Sequence, residues 1–290
     1  MITTLERINT RIAIIHNIPK FFFKNLENAM VFGDHLFPAW EKTIFIKTDL
    51  RKKFEAVFVN YKSISSKKSR YKIVDAFTNL NQIEILCNNT TNLAIYELND
   101  LPTTVRKELD ALFEYLYKSA INYHLFEKYV NDNVSDSITR FIQMNELEVC
   151  PFCGLEGFLN IEGQARLALD HWLCRDLFPM SAVNFNNLIP IGPSCNARPA
   201  KGSKNILLDD NLSKNRVVAY YPFVRHSGIQ TKFKFITEPT ITTYNNIPES
   251  DWELSIDPLS LQENDIYKSW LSTMNIEQRY LGYIKTNILS

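Results

Sequence analysis

The sequence predicts an α+β protein with a helical N-terminal half. Three observations carry that prediction. Apolar residues recur at helical spacing through roughly the first 145 residues. The character changes at Glu148, where turn residues, cysteines, a histidine and asparagines cluster. Past Arg216 the apolar runs become short or alternating, as strands do, before a final helical stretch.

The elements follow in order. Phe21–Met30 is a short apolar helix, with the FFF run at 21–23 facing the core. Leu50–Tyr61 puts Phe54, Val57, Phe58 and Tyr61 on one helical face. SISSKKSRYK breaks the pattern and, with Lys62 just before it, is basic through Lys67, Lys68, Arg70 and Lys72. It reads as a solvated loop, with phosphate contact as the alternative. A helix from Tyr71 to Leu86 ends near Asn88-Asn89. LPTTVRKELDALFEYLYKSA is the clearest helix: Pro102 and a threonine open it, and Leu109, Leu112, Phe113, Leu116 and Tyr117 form its core stripe. Ser135–Met144 is one more helix. Arg216–Val224 and Thr231–Thr237 are predicted strands, and IYKSWLSTMNIEQRYLGYIKTNIL is a terminal helix or a pair of them.

Bulk properties narrow the function classes. Apolar residues are 45% of 290, enough for one large domain or two modest ones. Thirty-two basic residues balance 32 acidic ones, so no global field draws the chain to nucleic acid or membrane. The N-terminus lacks an apolar signal core, and no stretch is long enough to span a bilayer. The expectation is a cytoplasmic protein with no membrane partner. An odd number of cysteines, five, does not form a disulfide framework, so clustered thiols point to metal.

The chemistry-bearing residues come after Glu148. Cys150-Pro-Phe-Cys153 is a turn that can present two thiolates to one zinc. Asp170-His171 follows, then Asn184, Asn187, Cys195-Asn196 and the cations Arg198, Lys201 and Lys204. A hard divalent cation takes oxygen ligands, here Asp170 and the Asn196 amide oxygen. A neutral imidazole accepts a proton from water near pH 7. Cationic side chains hold a phosphodiester strand.

In order and spacing these residues resemble the HNH endonucleases with the ββα-metal fold. The likeness is to the bacterial branch that reads C-P-x-C-G, L-D-H, F-P, N-x-x-N-L-x-P, C-N and K-G-S. This chain has CPFCG at 150–154, LDH at 169–171, FP at 178–179, NFNNLIP at 184–190, CN at 195–196 and KGS at 201–203. YYPF at 220–223 weakly resembles a downstream HPYF element.

The resemblance implies a central ββα-metal motif and roles for its residues. His171 would be the general base and Asn187 the residue that braces the loop and orients it. Asp170 and Asn196 would hold one magnesium or manganese ion. Arg198, Lys201 and Lys204 would bind phosphate. Cys150, Cys153 and Cys195 would be ligands of a structural zinc. It also implies a DNA substrate and a place in a bacterial anti-phage system beside a partner ATPase or sensor. Residues 1–145 would then be a partner-binding or regulatory region, or simply complete the core, and 146–290 the nuclease domain.

Two departures matter. Gly192 stands where the branch has a third zinc cysteine, leaving Cys174, His226 or water as the fourth ligand. The stretch from Cys195 to Lys201 is two residues longer than in the branch and contains Pro199, which shortens or bends the helix carrying Asn196. Both motivate an alternative, a decayed HNH protein acting as a nucleic-acid-binding or scaffold subunit. The remaining histidines, His16, His35, His124 and His226, read as structural or solvated. Cys87 and Cys174 read as buried apolar residues and Asn184 as a loop cap.

Overall fold

The computed structural model describes residues 4–157, 169–209, 214–224, 230–237, 252–257 and 261–287. Those residues form a mostly helical α+β fold with two small antiparallel sheets. Among them, no helix is long and apolar enough to cross a membrane.

The N-terminal half is a helical cluster stapled by phenylalanines. Helix α1 (Asn17–Leu26) buries Ile18, Phe22, Phe23 and Leu26. Short α2 (Glu41–Phe45) precedes α3 (Leu50–Ser63), whose Phe54 and Phe58 lie one helical turn apart on the buried side. Phe22 meets Phe54 with ring centroids 4.7 Å apart, and Phe23 stacks on Phe77 at 4.4 Å. Helix α4 (Lys67–Leu80) supplies Phe77 and begins at Ser66, whose hydroxyl accepts the Ser69 amide proton. The basic run expected to be a loop is thus mostly its first turns. The Ser66 cap and the buried Ile73, Ala76 and Phe77 fix that helix despite its like charges.

The helix expected over 71–86 is two helices. Asn81 donates to both Phe77 O and Met180 O, and Asn184 donates to Asn81. Those tertiary bonds compete with the helical ladder and break it before α5 (Ile83–Asn88). Asn89, at φ 50°, ends α5 in the left-handed conformation asparagine tolerates. Helix α6 (Thr103–Tyr115) runs into a wider π-type turn at Leu116–Ala120, followed by α7 (His124–Val130) and α8 (Val134–Met144). Asp132, between α7 and α8, accepts from the Thr10 hydroxyl and the Arg11 amide and pairs with Arg140, anchoring the chain's start.

Strand β1 (Leu169–His171) pairs antiparallel with β2 (Leu188–Pro190), Asp170 opposite Ile189, and α9 (Pro193–Asn196) follows directly. Residues 216–224, expected as a strand, are not one. Arg216 makes a single bridge to Leu208, Val217 bonds to Leu207 O, and Ala219 gives its amide proton to Cys87 O at the end of α5. With a helix end as partner, no ladder can extend. The expected strand over 231–237 is present as β3 (Gln230–Phe235), paired antiparallel with β4 (Trp252–Asp257). The C-terminal stretch is two helices, α10 (Leu261–Met274) and α11 (Ile276–Asn287), separated at Asn275 with φ 50°.

Buried side chains from both sides of residue 145 join one apolar cluster running from Leu5 to Ile276. Backbone bonds cross as well, for example Leu98 N–H to Leu177 O at 2.8 Å.

Candidate active site and metal centre

Strand β1 carries Asp170 and His171 into the interior, both less than a tenth exposed. Tyr117, from the turn after α6, clamps the strand. Its hydroxyl donates to Leu169 O at 2.6 Å, and its ring lies edge-on to the His171 ring at 4.3 Å. His171 Nε2 lies 3.0 Å from Ala182 O. A carbonyl only accepts, so Nε2 carries the proton and Nδ1 keeps the lone pair. Burial, partly offset by that bond, holds the imidazole's pKa down at about 4, so the ring is neutral at pH 7.

The loop that supplies Ala182 is fixed by Asn187, which is fully buried. Its Oδ1 accepts from Leu173 N–H at 2.7 Å, and its Nδ2 donates to Leu173 O and to Ser181 Oγ. Asn187 therefore acts on His171 at one remove, through the Ser181-Ala182 backbone. Asn184 caps the same loop by accepting the Asn186 amide proton.

Asp170 has a partner that the motif reading did not give it. Lys201 Nζ is 2.6 Å from Asp170 Oδ2, and the Lys201 side chain is 0% exposed. The contact lies off the axis of a hydrogen bond, so it is a charge pair. Burial raises the Asp170 pKa, and Lys201 opposes that shift.

The other two predicted phosphate ligands are divided as well. Lys204 donates to Ser272 O and Thr273 O at the end of α10, where helix carbonyls attract a cation. Arg198 is exposed. Asn196 closes the four-residue α9, half-buried, with no side-chain hydrogen bond among the described residues. Helix α9 is as short as Pro199 predicts. As arranged, Asp170 and Asn196 do not fit a divalent ion well, because the one carboxylate is already neutralised by Lys201.

The cysteine corner fits a metal better. Cys150, Cys153, Cys195 and Glu156 place their ligand atoms within 4.8 Å of one another. The knuckle turns at Gly154, whose φ of 65° suits glycine and whose amide reaches back to Cys150 O. Hydrogen bonds from the Cys150 and Cys195 thiols favour a thiolate on Cys153, and the same contacts raise the pKa values of those two partners. One negative charge is thus favoured, while further ionisation calls for a cation.

Cys174, considered as a fourth ligand, is elsewhere: its thiol points at Ser203 O, 3.5 Å away. His226, the other side-chain candidate, lies outside the described residues.

The C-terminal helices grip this corner. Trp270 Nε1 donates to Phe152 O, Tyr280 Oη to Cys153 O, and Arg279 Nη1 approaches Cys195 Sγ at 2.9 Å. Sequence reasoning missed Glu156, Arg279, Tyr117 and Lys201's true partner. Glu156 alone left a readable signal, a carboxylate three residues past Cys153.

No protein-family model, curated protein or solved structure matches this chain.

Proposed function

We propose that the chain is a nuclease of the HNH type that hydrolyses DNA phosphodiester bonds, with His171 as general base. The observation that supports this best is the His171 ring itself. Its Nε2 proton is committed to Ala182 O, which leaves Nδ1 as the basic nitrogen on a ring that is neutral at pH 7. In the reaction Nδ1 takes a proton from water, the hydroxide attacks phosphorus, and the bond to the leaving sugar oxygen breaks. That oxygen takes a proton from solvent, and His171 then releases its proton to solvent. Exposed Arg198 is available to the phosphate. Family members implicate magnesium or manganese. Here such an ion can use Asp170 only if the Lys201 ammonium withdraws or shares the carboxylate.

The family resemblance also supports a protein partner for residues 1–145, an ATPase or sensor within an anti-phage system. Co-migration of the purified chain with its genomic neighbours checks this.

The test of activity is nicking of supercoiled plasmid across magnesium, manganese and nickel. His171→Ala is expected to slow it by about a hundredfold or more while the chain stays folded by circular dichroism at the assay temperature. Cleavage at the wild-type rate would rule out His171 as the base.

The Asp170–Lys201 pair motivates a second reading, a scaffold or nucleic-acid-binding subunit whose metal ligand has been neutralised. No nicking by the wild-type chain with any of these metals, together with retained DNA binding, is the outcome that reading predicts.

A further inference from the structure

We propose that Glu156 is the fourth ligand of a tetrahedral zinc held by Cys150, Cys153 and Cys195, in the corner that Gly192 leaves open. This is independent of the nuclease reading.

The donor set has the right dimensions. Cys150 Sγ and Cys195 Sγ are 3.6 Å apart. A zinc tetrahedron with metal–sulfur bonds of about 2.3 Å has sulfur–sulfur edges of roughly 3.8 Å. The separation is also far too long for a disulfide, and all of these cysteines are free.

Gly192 and Glu156 are sterically linked. A Cβ added at Gly192 would overlap Glu156 Oε2 and come within 3.3 Å of the Cys150 Cβ. A cysteine there would compete with the carboxylate for one place. Glycine at 192 and glutamate at 156 are therefore a matched pair.

Glu156 is held from outside the corner. Its Oε1 accepts the Ser194 hydroxyl proton at 2.6 Å, and the Ser194 amide lies 3.1 and 3.2 Å from its two oxygens. Such bonds orient a carboxylate while leaving lone pairs for a metal. The plainer role is a cap on α9.

Each sulfur has its own donor. Leu155 N–H points to Cys153 Sγ at 3.4 Å, Gly192 N–H to Cys150 Sγ at 3.5 Å, and Arg279 to Cys195 Sγ at 2.9 Å. That pattern suits thiolates better than thiols. A divalent ion among three thiolates and a carboxylate leaves a net charge of about −2, and the Arg279 guanidinium offsets part of it.

The test uses the full chain, with zinc affinity from competition against a chelator and the visible and near-ultraviolet spectrum of the cobalt form. Wild type is expected to bind one metal with a tetrahedral three-sulfur spectrum. Glu156→Gln keeps an acceptor for Ser194 and should weaken zinc binding about tenfold or more. Glu156→Ala combined with Gly192→Cys should regain the affinity, with sulfur-to-cobalt absorption stronger by about a third, for four thiolates. Unchanged affinity in Glu156→Gln would reduce Glu156 to a helix cap and overturn the proposal. A wild-type chain without affinity for zinc, or a double variant without the added thiolate absorption, would do the same.

Discussion

The Asp170–His171 pocket and the cysteine corner draw on the same stretch of chain, 150–201, and their electrostatics are opposite. In the pocket the acidic group is matched inside the fold: Lys201 faces Asp170, and the imidazole is neutral. In the corner, three sulfurs and a carboxylate gather with donors aimed at them, and Arg279 is the cation in contact. A closed charge balance resists a further cation, whereas an open one recruits it. The contrast places the stronger metal demand on the corner and makes Lys201 the cation of the pocket.

The sharpest way to break this contrast is to open the pocket. Lys201→Ala leaves Asp170 buried without its partner and is expected to cost roughly 3–5 kcal/mol in urea unfolding. Replacing both members, Asp170→Leu with Lys201→Met, should recover most of that loss. A Lys201→Ala chain as stable as wild type would mean that the pair is not closed.

A smaller effect comes from pH. His171 is buried and His16 half-buried, each with its pKa lowered to about 4, desolvation of the ring being the main cause. The unfolded chain binds these protons first, so stability is full above about pH 6.5 and falls as pH drops toward 4. The loss is roughly 2 kcal/mol per histidine by pH 5. His16 stacks on Phe77, so His16→Phe should remove its share of the acid sensitivity and leave that of His171. Melting temperatures at pH 7 and 5 check this; equal acid losses in wild type and variant would contradict it. The smallest expected effect is that of Tyr117→Phe, which loses the bond to Leu169 O and should cost about 1 kcal/mol in the same urea assay. A cost of several kcal/mol would give Tyr117 a larger part in holding β1.

Much of this arrangement was legible in the sequence because it is local. Helical spacing located α3, α6 and α8 but only part of α1, which starts four residues before the expected Phe21 and leaves Phe21 exposed. The motif order singled out Asp170, His171, Asn187 and the cysteines. What escaped depends on distant chain. The break at Asn81 is caused by residues near 180, and the strand expected over 216–224 was diverted by a helix end at Cys87. Lys201 reads as a surface cation until Asp170 is placed beside it. The proton acceptor that fixes the His171 ring is a backbone carbonyl, which no side-chain pattern encodes.

The most direct test is zinc content per chain in Asp170→Asn and Cys153→Ser variants, purified alongside wild type. The contrast predicts about one zinc in wild type and in Asp170→Asn, and little or none in Cys153→Ser. Loss of zinc from Asp170→Asn with full retention in Cys153→Ser would place the metal in the wrong site and contradict it.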